Sequence, residues 1–259
     1  MRLSLFASVC ALQLMACGPM KMTVDSGPDT SCGFDCVAQN RYGLVLNRCF
    51  EYSTDGLAAQ TPPSLGVWVV RQKQQTGHPD DGLFYLEGDV PTLVVEYRQG
   101  GQTVQTDYLG IKNSDLYLMR RIAGGQSVTY KSADSKITGV KWLTTDVASG
   151  QNFSTDTGAF LSRDNTTTPT TYRVTTDTPT GAEKRTPLMT YDNAVKVLYG
   201  ETPDHGADPR RVFVPDVGFT VIASPFSLLG GSPTPHYLQK IRDIGSPDGG
   251  SDACSLGVP

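Results

Sequence analysis

From residue 42 onward, apolar and polar positions alternate with period two in one run after another. Alternation of this kind sends one set of side chains to a core and the next to the opposite face, the signature of a half-buried β-strand. It marks residues 42–52, 65–71, 92–98 and 103–109, and further strand-like runs follow at 116–120, 127–130, 137–143, 171–175, 194–199, 211–214 and 219–223. Gly100-Gly101 separates two of these runs and predicts a hairpin, because tight primed turns need positive φ. No apolar stripe keeps helical spacing for more than three turns, so only short helical pieces are expected, near 111–115 or in the tail. Residues 151–170 and 178–187 read as loops, and the tail 245–259 as mobile up to Cys254. Counting runs of ordinary strand length gives roughly ten to twelve strands. The predicted fold is therefore all-β: an antiparallel meander forming a strongly curved sheet, half-barrel or two-layer β structure.

The opening residues break this pattern. Arg2 precedes a short apolar run that ends at Met15, followed by Ala16, Cys17 and Gly18. A basic residue, an apolar run and a small residue form a signal-peptide pattern, too short to span a bilayer as a helix. The segment Leu14-Met15-Ala16-Cys17 resembles the lipobox of bacterial lipoproteins, with Met15 in place of the usual small or β-branched residue. The resemblance implies cleavage before Cys17 and lipid on that cysteine. Three acyl tails would then anchor the chain stably, where one binds only marginally. The plainer alternative is an ordinary signal peptide that leaves Cys17 as a free thiol. Gly18, not Asp, follows the cysteine, and resemblance to the sorting rule of enteric bacterial lipoproteins then implies the outer membrane. The organisation predicted is a signal peptide at 1–16, a disordered Gly/Pro/Ser/Asp-rich tether at 17–31 and a single β-rich domain at 32–259.

With Cys10 in the leader and Cys17 lipidated, Cys32, Cys36, Cys49 and Cys254 remain. Four cysteines in an exported domain imply two disulfides, with three pairings open. Cys36–Cys49 with Cys32–Cys254 is the favoured set, since it clips the entry segment to the first strand and the tail to the amino end. Cys32 and Cys36 loosely echo zinc spacing, but no histidine lies near them. Loss of Arg2 with the leader leaves 21 basic residues against 26 acidic, a mature charge of −5. That mild acidity argues against nucleic acid as a partner.

Two segments of the second half are similar to a pattern in uncharacterised β-rich envelope lipoproteins of bacteria. They are Thr190-Tyr191-Asp192-Asn193-Ala194-Val195-Lys196-Val197 and Val212-Phe213-Val214-Pro215-Asp216-Val217-Gly218-Phe219. Asp216 stands where that pattern often has Gly. The resemblance implies fold and compartment and no activity. The same residues have structural readings: Pro215 marks an edge, bulge or turn, and Asp192-Asn193 an Asx-type turn.

No catalytic constellation emerges. His78, His205 and His236 lie in turn-like contexts, and no zinc-protease, nucleophile-elbow or phosphate-loop motif is present. Glu201, Asp204, His205 and Asp208, or His78 with Asp80 and Asp81, hold potential metal ligands, but without the six to eight oxygens that calcium takes. No cofactor or metal is expected. Trp68, Trp142, Tyr85, Tyr97, Tyr117 and Tyr130 sit in strands and read first as packing residues. The leading functional expectation is a non-enzymatic envelope lipoprotein that binds a protein partner or has a structural role at the membrane surface. A carrier or sensor holding a lipid or other apolar ligand in a curved-sheet cavity is the second reading, and a metal-assisted hydrolase the third.

Overall fold

The computed structural model describes residues 34–70, 90–200, 210–224 and 233–243. The first unit, residues 1–31, lies outside the described residues, as do the lipobox, the tether and the tail. The second unit is all-β. Its strands are β1 (Arg48–Ser53), β2 (Leu65–Val70), β3 (Thr92–Gln99), β4 (Gln102–Lys112), β5 (Asp115–Ala123) and β6 (Gln126–Lys131), then β7 (Val140–Leu143), β8 (Asn152–Leu161) and β9 (Thr166–Asp177). β10 (Val195–Gly200), β11 (Arg210–Val214), β12 (Gly218–Ser224) and β13 (Thr234–Asp243) complete the set. All pairings are antiparallel, in the order β4-β3-β2-β1-β13-β12-β11-β10-β9-β8-β6-β5, and β5 pairs back onto β4. Twelve strands thus close into a barrel, where the sequence predicted a half-barrel or layered sheet. β7 stands outside the ring, on the first half of β5 in line with β6. Closure removes the open edges that a half-barrel would leave unpaired.

Several local expectations hold. Gly100 and Gly101 have φ of 55° and 76° and form the β3–β4 turn. Others need correction. Residues 42–47 are not strand: helix α1 (Phe34–Tyr42) ends there, with Gly43 at φ +64°. The Gly43 amide donates to the Gln39 carbonyl at 3.0 Å, the bond of an αL-type cap, and the Leu44 amide donates to the Ala38 carbonyl at 2.9 Å. The expected loop at 151–170 is the β8–β9 hairpin, turning at 162–165. Its Thr- and Ser-rich composition reflects an exposed wall, and Pro169 is tolerated because it lies beyond the stretch of β9 that pairs with β10. The expected loop at 178–187 contains α2 (Gly181–Lys184), whose N-cap Thr180 and Glu183 form a capping box. Residues 111–115 are a hairpin turn with Asn113 and Ser114 at positive φ, not a helix. β13, which closes the ring between β1 and β12, is not among the runs the sequence marked as strands, and it carries His236, which was expected in a turn-like context.

One end of the barrel is covered by α1. Ala38 and Tyr42 are buried, Phe34 and Val37 pack on the core, and the Tyr42 hydroxyl donates to the Ser114 carbonyl at 2.5 Å. Inside, Trp142 meets Tyr199 at 5.2 Å and Phe219 at 5.4 Å between ring centres, and Phe213 meets Phe219 at 5.8 Å. A circular ring of twelve tilted strands would be roughly 24 Å across. Side chains from opposite walls touch, so this barrel is flattened toward the spacing of two packed sheets, about 10 Å.

Candidate functional site

The feature least expected of an apolar lumen is a charged cluster at its centre. Asp107 on β4 and Arg121 on β5 are direct cross-strand partners. Arg121 Nε donates to Asp107 Oδ1 at 2.7 Å and Nη2 to Oδ2 at 3.0 Å, a bidentate fork. Gln105 shares the inward face of β4, two residues before Asp107, and its amide donates to both carboxylate oxygens at 3.1 and 3.0 Å. From the opposite wall, Arg211 on β11 brings Nη2 to within 3.2 Å of Asp107 Oδ2. Its Nε donates to the Tyr199 hydroxyl at 3.1 Å and its Nη1 to that of Tyr97. Asp107 and Arg211 are fully buried. Rings enclose the Arg211 guanidinium, with Trp142 at 4.4 Å and Phe219 at 4.8 Å. Burial alone would raise the Asp107 pKa. The two guanidiniums and their hydrogen bonds outweigh it and hold the carboxyl below the usual range.

A β-bulge decides which arginine enters. Leu116 and Leu118 face the core, so strict alternation would send Arg120 inward. The register shifts between Tyr108 and Leu109 of β4, leaving Met119 of β5 as the extra residue, and Arg121 points inward instead. On β11, Arg211 and Phe213 share the inner face, while Val212 and Val214 pack outside with Tyr191, Ala194 and Val221. Sequence patterning did not single out this cluster. Its one legible trace is the pair Gln105 and Asp107 on the same phase of β4 as Leu109.

Of the candidate residues, His236 is described. It lies on β13 near the mouth opposite α1, 3% exposed. Its Nδ1 is 2.9 Å from Ser64 Oγ and its Nε2 is 3.4 Å from the Gln99 amide nitrogen. The Gln99 N–H makes Nε2 the acceptor, so Nδ1–H donates to Ser64, whose hydroxyl donates to the Tyr52 carbonyl at 3.0 Å. Burial lowers the His236 pKa to about 4, which keeps the ring neutral.

Cys49 is in a disulfide, and its half-cystine packs on the outside of the barrel beside Trp68 and Val94. Its partner and the side chains of Cys32, Cys36 and Cys254 lie outside the described residues, as do Cys17, His78, Asp80, Asp81, Glu201, Asp204, His205 and Asp208. Tyr97, Tyr130 and Trp142 line the core and Trp68 the outer face. Among the described residues, a small cavity of about 10 Å³ lies between Tyr52, Val67, Tyr97 and Phe219, room for about one water. The outer wall at β8–β9 presents Asn152, Ser154 and Asp156 with Thr171, Arg173 and Asp177. No family model, curated protein or solved structure matches the chain.

Proposed function

We propose that this chain is a non-enzymatic lipoprotein of the bacterial cell envelope, anchored through Cys17, whose barrel works through its outer surface by binding a protein partner or structuring the envelope. The observation that carries this reading is contact across the lumen: side chains from opposite walls meet there, and the cavity among the described residues beside Tyr97 has only about 10 Å³. An acyl chain would need the several hundred Å³ of an ordinary ligand pocket. The packed interior therefore favours surface recognition over the carrier reading. Two further features fit. The Cys49 disulfide suits an oxidising compartment. The polar outer wall of β8–β9 around an apolar core is the reverse of a lipid-facing barrel and suits a domain standing in water beside the membrane. By the same reading the anchor lies in the outer membrane.

Metabolic labelling with palmitate tests the anchor. Label on the native chain that disappears in Cys17→Ser supports it, and an unlabelled native chain removes it. Photo-crosslinkers at Ser154, Arg173 and Leu57, introduced in the native envelope, test the partner. A discrete crosslinked protein supports partner binding, and none at any of the three leaves the structural role.

A further inference from the structure

We propose that two loops, 54–64 between β1 and β2 and 178–194 between β9 and β10, form a foot that rests in the headgroup region of a lipid bilayer through Leu57, Leu188 and Met189, on the reading above that Cys17 carries lipid. Among the described residues, large apolar side chains are exposed at these three positions, at 77%, 41% and 55%. Isolated exposed apolar residues are ordinary on a protein surface, but these three are gathered. Gly56 backs onto the Tyr237 ring so closely that an added Cβ would lie 3.3 Å from it. The Gln60 amide donates to Gln239 Oε1 at 2.7 Å, and Gln239 Nε2 donates to the Gln60 carbonyl at 3.0 Å. The Leu188 amide donates to the Leu238 carbonyl at 3.3 Å. Both loops are therefore fastened to consecutive residues of β13. Their tips are also held in shape. Asp55 Oδ1 accepts the Leu57 amide at 2.8 Å, and the Thr186 amide donates to the Met189 carbonyl at 3.0 Å, a tight turn with Pro187 and Leu188 at its corner.

The chemistry of the tips fits a bilayer better than a protein. Residues 56–63 and 186–191 contain no charged side chain, with Asp55 and Arg185 flanking them, so burying the tips strips no ion of water. Protein interfaces draw most of their energy from Trp, Tyr and Arg, and Leu is under-represented there. The two tips offer Leu, Met and Ala, and their one aromatic residue, Tyr191, is buried. The polar wall of β9 and β8 lies four and five places from β13 around the ring of twelve, so the apolar tips and the polar wall stand on different sides. Residues 18–33 span up to about 55 Å when extended, against about 40 Å for the whole of β9, so a lipid on Cys17 leaves any side of the barrel free to meet the membrane. Three side chains bind a bilayer weakly by themselves. With the acyl chains supplying the affinity, they set which side of the barrel faces the lipid.

The test attaches an environment-sensitive fluorophore to Leu57→Cys, Met189→Cys and, as a control on the polar wall, Ser154→Cys. Each full chain is reconstituted in vesicles of phosphatidylethanolamine and phosphatidylglycerol. Emission at 57 and 189 should shift to the blue and be quenched by lipids with brominated acyl chains, with neither change at 154. Leu188→Ser with Met189→Ser should abolish most of the quenching at 57, because the tips enter together. All three side chains are exposed, so the fold does not depend on them. A lipidated chain that floats with the vesicles while 57 and 189 stay as wet as 154 overturns the foot and leaves the anchor standing. Quenching at 57 and 189 on a chain without acyl groups keeps the foot and removes the anchor. A protein, and no lipid, crosslinked at Leu57 in the native envelope also overturns the foot, in favour of a partner there.

Discussion

Arg211 and Asp107 meet at 3.2 Å although their strands stand six places apart, in either direction, around a ring of twelve. An arginine and an aspartate together reach across roughly 14 Å between backbones, far less than the diameter of a round twelve-strand barrel. The pair therefore acts as a tie between opposite walls, and its strength should be measurable. Asp107→Asn leaves two buried guanidiniums without their carboxylate and should cost about 3–5 kcal/mol in chemical unfolding. Arg211→Met with Asp107→Leu removes the whole tie and should cost less than the sum of the two single changes, a coupling that a double-mutant cycle reads directly.

The same carboxylate sets an acid limit. The Asp107 pKa is lower in the folded chain than its ordinary value of 3.8. Stability from its ion pairs is thus present above that value and lost as pH falls through the folded one. The acid limb of the stability curve should flatten in Asp107→Asn relative to the native chain.

His236 contributes in a different window. An unfolded imidazole takes its proton near 6.5, the folded one only near about 4. Between those values the unfolded chain binds more protons, so stability present above pH 6.5 declines as pH falls toward 4, by up to about 3 kcal/mol. His236→Gln should remove that slope, and an NMR titration should place the folded imidazole near pH 4.

Two glycines separate geometric demand from mere preference. At Gly43, φ is +64° and an added Cβ would sit 2.3 Å from the Val217 carbonyl carbon, backbone that cannot swing aside. Gly43→Ala should lift α1 from the barrel end and cost more than about 3 kcal/mol. At Gly100, φ is +55° but nothing lies within 4 Å, so Gly100→Ala should cost only about 1–2 kcal/mol from the left-handed backbone. Urea denaturation of both variants checks the contrast.

Much of the wall was legible because short runs rich in Val, Leu and aromatic residues mark strands; β2, β3 and β12 are such runs, buried along most of their length. Closure was not legible, since the pairing that closes the ring, β1 with β13, joins segments at opposite ends of the domain whose sequences say nothing of each other. β8 and most of β9 escaped because their Thr, Ser and Asp residues face outward and carry turn-like composition. The charged cluster escaped for two reasons. The bulge at Met119 exchanges Arg121 for Arg120, and the valines flanking Phe213 are buried on the outer face, so Arg211 sits on the phase a reader assigns to solvent.

The claim that the barrel is packed rather than hollow rests most directly on what it carries when purified. Native mass spectrometry of the protein from its own membrane, stripped of detergent, should show a chain starting at Cys17 with three acyl chains. The mass should lie four hydrogens below the reduced form, with no further organic ligand. A stoichiometric lipid-sized adduct that leaves only when the barrel unfolds would contradict the packed lumen and restore the carrier reading.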